Sequence, residues 1–215
     1  MQFLFTSADY VAYLRRAAEK IAASGDYITS LDAVTGDGDH WANINMGFES
    51  LLTAADVLLA LPIDALLKKV GMIMMSKVGG SSGILYGGAY IAASKAFTGK
   101  EALQWEDVCR MLEVMVTDMM QRGKAEPGFK TMIDALYPAA QAFRYCLTQN
   151  VSEKETVSRV RQAAIDGAEA TRTMQAVKGR ASYRTDKGVG HLDPGAVTMS
   201  YQLECLCDTL DEKFK

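Results

Sequence analysis

Apolar residues recur along this chain at the spacing of an α-helix. Val11, Leu14, Ala18 and Ile21 fall at i, i+3, i+7 and i+10; Ile63, Leu66, Leu67, Val70, Ile73 and Met74 repeat the pattern, as do Val108, Met111, Leu112, Met115 and Met119. Each set is one stripe that needs a covering partner. Sustained alternation with period two is missing, and Val, Ile and Thr do not gather between turn signals, so the pattern predicts an all-α fold.

Turn and cap residues divide the stripes into eight helices. Thr6 or Ser7 caps the first, which stops at Ser24-Gly25; the second runs from near Trp41 to the residues before Leu61-Pro62; the third runs from Pro62 to Val78. A fourth follows Ser81-Ser82 and reaches Phe97, a fifth spans about Gln104 to Arg122, and a sixth, kinked at Pro138, spans about Lys130 to Gln149. The seventh opens at Ser152, with Glu155 completing a capping box, and reaches about Val177; the eighth starts at Asp193-Pro194 and runs to the C-terminus. No repeat and no long linker divides the series, so residues 1–215 are expected to form a single domain.

Composition narrows the class of function. The 215 residues are 49% hydrophobic and 23% charged, which excludes disorder and supports a substantial core. A net charge of −3 provides no general attraction for a phosphate backbone, so nucleic-acid binding is not expected. No apolar run reaches membrane-spanning length, and the N-terminal residues lack the pattern of a secretory leader. Cys109, Cys146, Cys205 and Cys207 show no metal or redox spacing, so a reduced, cytoplasmic setting is expected.

The chemistry gathers in the loops. Between Leu31 and Asn43 lie Asp32, Asp37 and Asp39, separated by glycines that permit a tight turn. Three carboxylates are enough oxygen donors for one or two Mg²⁺, although Asp-Gly-Asp also makes ordinary turns and Asp also caps helices. An EF-hand does not fit, because its later ligand positions fall on an apolar helix start, and the two histidines, His40 and His191, lack zinc-ligand spacing. Residues 79–83, Gly-Gly-Ser-Ser-Gly before a helix, could cradle phosphate with backbone N–H groups and hydroxyls, or form a serine-capped turn. Arg180 could clamp a phosphate, Asp193 before Pro194 could cap a helix or touch a ligand, and Lys130 with Thr131 puts a cation and a hydroxyl at another helix start, where a capped helix and a solvated lysine are the plainer alternative. Taken together, these groups describe a magnesium–nucleotide site suited to phosphoryl transfer.

These motifs, in order, resemble the nucleotide-binding L subunits of dihydroxyacetone kinases. The resemblance rests on Asp32, Gly36-Asp37-Gly38-Asp39-His40 and Asn43; Gly79-Gly80-Ser81-Ser82-Gly83 with Leu85-Tyr86-Gly87; Lys130-Thr131-Met132-Ile133-Asp134; Gly179-Arg180-Ala181-Ser182-Tyr183; and Gly190-His191-Leu192-Asp193-Pro194-Gly195-Ala196. It implies an antiparallel eight-helix barrel with ADP or ATP bound by loops at one end. It also implies two Mg²⁺ held by Asp32, Asp37 and Asp39, a nucleotide touching His40, Asn43, Gly123, Thr131, Met132, Asp193, Pro194 and Gly195, and phosphate held by Ser81 and Ser82. Arg180, stabilising the transferring group, and His40 are the implied catalytic residues. The implied partners are a K subunit that carries dihydroxyacetone on a histidine and, for the bacterial phosphotransferase type, a phosphohistidine-bearing M subunit.

Three departures from the family pattern stand out. Trp41 occupies a position usually held by glycine and is expected to put a bulky ring beside the nucleotide; Phe129 replaces an aspartate near the pocket; residues 184–188, Arg-Thr-Asp-Lys-Gly, replace a Leu-Gly-Glu-Arg pattern in the covering loop. Two other functions compete with the kinase reading: a non-catalytic nucleotide-binding regulator docking to a transcription factor, and a domain serving a lipid-type substrate. Retention of all three aspartates argues against the first, and the short chain argues against the second.

Overall fold

The computed structural model describes residues 3–215 and is all-helical. Among the described residues the helices are α1 (Ser7–Ala23), α2 (Gly25–Thr35), α3 (His40–Thr53), α4 (Ala55–Leu59), α5 (Ile63–Lys77), α6 (Gly80–Ala96), α7 (Trp105–Gly123), α8 (Ile133–Thr148), α9 (Glu153–Ala170) and α10 (Pro194–Glu212). Two single 3₁₀ turns, Thr171–Thr173 and Arg180–Tyr183, lie between α9 and α10. The only extended pairing among the described residues is an isolated bridge between Phe5 and Leu103.

Ten helices replace the eight expected, for local reasons. The chain re-enters a helix straight after Ser24, and α2 escapes a reading by hydrophobic period because its buried positions are Ile28, Asp32 and Thr35, two of them polar. The second expected helix breaks at Ala54 into α3 and α4. The seventh stops at Ala170, where the Thr171 hydroxyl donates to the Ala168 carbonyl and accepts from the Asp193 N–H. The sixth starts at Ile133 rather than Lys130, because Lys130 sits at φ 61°, outside the helical region. Pro138 lies inside α8.

Cap chemistry is mostly as the sequence indicates. Thr6 and Asp9 form a reciprocal capping box on α1. Gln104 and Asp107 form another on α7. Ser152 accepts the Glu155 N–H at 3.4 Å, but only this half of the expected box forms.

Packing runs in sequence order. α1 packs on α3, α3 on α5, α5 on α6, and so on to α10, which returns to α1. One continuous core joins these helices, with Tyr10, Tyr86, Tyr90, Phe48 and Phe143 essentially without exposure. A smaller cluster of Ile28, Leu192 and Val197 holds α2 against the start of α10. Burying side chains of this size contributes about 1.5–3 kcal/mol each, so the loops between α2 and α3, and before α10, hang from well-packed supports.

Candidate functional site

The carboxylates come together because α2 and α3 meet at a tight corner. Asp32 is buried in the last turn of α2, and its Oδ2 accepts the backbone N–H of His40, the first residue of α3, at 3.0 Å. It therefore caps a helix and remains available as a ligand, while Asp39, in the N-cap position itself, makes no side-chain cap bond. Residue 36 must be glycine here, since a Cβ would lie 2.1 Å from Asp32 Oδ1. Asp32, Asp37 and Asp39 each place a carboxylate oxygen within 4.8 Å of the others. Three hard oxygen donors converging this closely repel one another, and a divalent cation of the Mg²⁺ class fits that donor set.

Two further groups meet this corner. Arg180 Nη2 lies 2.5 Å from Asp37 Oδ2, in an ion pair open to solvent. His40 Nε2 lies 2.9 Å from Thr198 Oγ1 of α10. Burial lowers the His40 pKa from its usual 6.5, against the opposing pull of Asp32 and Asp39.

The opposite wall is the start of α6. Ser81 and Ser82 lie inside its first turn, and Gly79 in the cap position makes no side-chain bond, so the serine-cap reading does not hold. First-turn N–H groups with no capping side chain favour an anion. Gly79 also lets α3 come close: a Cβ there would fall 2.4 Å from Asn43 Oδ1.

The remaining wall comes from the start of α8 and the start of α10. Asp134 accepts the N–H groups of Gly128 and Thr131, which shapes the turn ahead of Met132. Asp193 caps α10, accepting the Ala196 N–H at 2.7 Å with Pro194 following. Burial raises its carboxyl pKa to about 7, even though the Ala196 N–H and the Lys130 ammonium oppose the rise.

All these walls enclose one cavity of about 620 Å³, within the range of small-ligand sites. Every candidate residue named from the sequence lines it: Asp32, Asp37, Asp39, His40, Asn43, Ser81, Ser82, Gly123, Thr131, Met132, Arg180, Asp193, Pro194 and Gly195. Leu85, part of a family motif in the sequence, forms an apolar side with Ile84 and Ala125, which the sequence does not single out because they look like ordinary core positions of α6 and the turn after α7. Lys178, two residues before Arg180, adds a cation.

Three expectations change. Trp41 is not in the cavity wall; its indole N–H donates to the Ile21 carbonyl at 2.9 Å and its ring packs on Gly25, so it fastens α3 to the α1–α2 junction. Phe129 is also absent from the wall and packs on the main core. Lys130 is no solvated lysine: it is 2% exposed, and its ammonium donates to the carbonyls of Thr171 and His191.

Comparison with known proteins places the chain in a family. Residues 34–208 match the DAK2 domain family. The chain is 36% identical to the ADP-binding subunit DhaL of the PEP-dependent dihydroxyacetone kinase of Escherichia coli, over 91% of this chain and 93% of that one. It is 37% identical to the DhaL subunit of kinase 2 of Listeria innocua, over 91% of each. Human triokinase/FMN cyclase is 29% identical over 92% of this chain but 34% of its own length. The dihydroxyacetone kinase of C. freundii, solved with AMP-PNP and Mg²⁺, shares the fold with a TM-score of 0.74 and 23% identity; the match covers 97% of this chain and 35% of that longer one. The chain thus belongs to the DAK2-domain family, as a DhaL-type subunit of the dihydroxyacetone kinases.

Proposed function

We propose that this chain is the nucleotide-holding subunit of a dihydroxyacetone kinase, acting on dihydroxyacetone or a related keto-sugar carried by a separate K subunit in the cytoplasm. The carrying observation is that one cavity gathers three converging carboxylates, an uncapped helix N-terminus and an exposed arginine. Bound ADP would accept a phosphoryl group from the donor to become ATP, and ATP would pass that γ-phosphoryl to the keto-sugar and return to ADP, with two Mg²⁺ neutralising its charge.

Within that reading, each residue has a task. Asp32, Asp37 and Asp39 hold the metals, and burial of Asp32 under the His40 N–H fixes the corner from which the other two extend. Ser81, Ser82 and the first amides of α6 hold phosphate. His40, Asn43, Gly123, Thr131, Met132 and the Asp193-Pro194-Gly195 turn orient the nucleotide, and the apolar side formed by Ile84, Leu85 and Ala125 suits a base. Arg180, an exposed cation on a single 3₁₀ turn, can exchange Asp37 for negative charge developing during transfer. The names of the bacterial relatives, which call their kinases PEP-dependent, favour a PEP-linked donor; in this proposal a phosphohistidine-bearing M subunit delivers it.

The test is reconstitution. The chain is mixed with a dihydroxyacetone-loaded K subunit and either a PEP-driven phosphohistidine donor or ATP, and dihydroxyacetone phosphate is measured. Product with the first donor supports the reading in full; product with ATP alone reassigns the donor. No product with either, at saturating nucleotide and Mg²⁺, removes the kinase assignment.

A further inference from the structure

Between α9 and α10 the chain leaves the body after Thr171 and returns at His191, forming a strap over residues 172–190. Near its middle the strap carries Lys178, Gly179, Arg180 and Ala181 into the cavity wall. Its internal bonds are short-range: Ala176 N–H to the Lys187 carbonyl, and Arg184 to Asp186. Its outer contacts are the Arg180–Asp37 pair, the Arg184 Nη1 bond to the Val34 carbonyl and the Arg172–Glu169 pair, all open to water, and one backbone bond beside Lys130, from the Val177 N–H to the Phe129 carbonyl at 3.2 Å. Exposed contacts of this kind contribute about 0–1 kcal/mol, too little to hold an arginine in one place.

The neck is built differently. The Thr171 carbonyl and the His191 carbonyl, one at each end of the strap, both accept from the Lys130 ammonium. The Gly190 N–H closes onto the Arg172 carbonyl beside them at 2.8 Å. Lys130 is buried and holds a left-handed backbone at φ 61°, an unfavourable combination for lysine that persists only where the surroundings fix it. Burial lowers its pKa while Asp193 opposes the shift. With its N–H groups turned to backbone oxygens, the side chain joins the two ends of the strap.

We propose that Lys130 is a positioning residue, clamping the neck of the 172–190 strap and so setting the place of Arg180 and the closure of the cavity. The clamp itself is independent of the nucleotide reading; only its effect on ligand exchange rests on that reading.

Amide hydrogen exchange and ADP dissociation in Mg²⁺ test it, in the wild type and in Lys130→Met. Loss of two charge-assisted bonds should speed exchange across residues 172–191, leave α5, α6 and α7 at wild-type rates, and raise the ADP dissociation rate by about tenfold or more. Lys130→Gln offers a second route: it keeps a donor on a shorter side chain that can serve at most part of the neck. It should loosen the same segment to a smaller degree, and it decides the matter if Lys130→Met does not fold. Unchanged strap exchange in these variants overturns the proposal, as does exchange raised equally in all helices, which is the mark of general destabilisation. Loosening of the strap in a protein that binds no Mg-ADP at all would retain the clamp and overturn the nucleotide reading instead.

Discussion

The carboxylate corner and the strap meet across the cavity through Arg180 and Asp37, yet they are held in opposite ways. The corner is four residues between two helices, with Asp32 buried and fastened to the first amide of α3. The strap carries its arginine on a single 3₁₀ turn, with that side chain 64% exposed. A metal site gains from ligands fixed in advance, because any reordering on binding subtracts from affinity. A group that must follow charge during transfer gains from the freedom to shift by a few tenths of an ångström. The contrast therefore separates residues expected to govern binding from the one expected to govern rate.

The sharpest way to break that contrast is Arg180→Ala. It should leave Mg-dependent ADP affinity near wild type and lower the reconstituted phosphoryl transfer by about 10³-fold or more, the scale of an arginine acting on a transferring phosphoryl group. Equal losses of affinity and turnover would put Arg180 in ground-state binding. Asp37→Ala should do the reverse, weakening Mg-dependent ADP binding beyond the roughly 10–100-fold that follows loss of an outer-shell metal partner, with helical circular dichroism unchanged. Asp32→Ala should weaken binding equally and also lower thermal stability by about 1–3 kcal/mol, because the His40 N–H loses its acceptor. If the two variants prove equally stable, the corner is not held through Asp32.

Smaller effects sharpen the boundary between support and site. Trp41→Phe removes the bond to the Ile21 carbonyl and should cost about 0.5–1.5 kcal/mol in denaturant unfolding while leaving ADP affinity alone. A clear change in affinity would return Trp41 to the nucleotide pocket. The smallest effect lies far from the cavity, where Arg144 makes a two-point bond to Glu113 and holds that carboxyl below its ordinary 4.5. A depressed carboxyl pKa contributes stability above the unfolded value that disappears as pH falls through the folded one. The difference in melting temperature between wild type and Arg144→Ala should accordingly shrink as pH is lowered from 6 to 3; a constant difference would show that the pair contributes nothing through charge.

Much of this was legible in the sequence, and the exceptions share a cause. The long helices were readable because their buried faces are apolar at helical period, as in α7 with Val108, Met111, Leu112, Met115 and Met119. The cavity residues were readable because glycines, aspartates and serines collect where helices end. α2 is hidden because two of its three buried positions, Asp32 and Thr35, are polar, and both line the cavity. Trp41 and Lys130 depart from the sequence expectation for a related reason: neighbours in sequence do not reveal direction. The Trp41 ring reaches the Ile21 carbonyl of α1, and the Lys130 side chain runs to a neck whose two ends are twenty residues apart in sequence.

The most direct measurement of the central claim is to purify the chain, denature it with and without prior EDTA treatment, and identify any released nucleotide by chromatography. The account predicts near-stoichiometric ADP in the untreated protein and its loss after chelation. Absence of nucleotide, together with no Mg-dependent uptake when ADP is supplied, would contradict it.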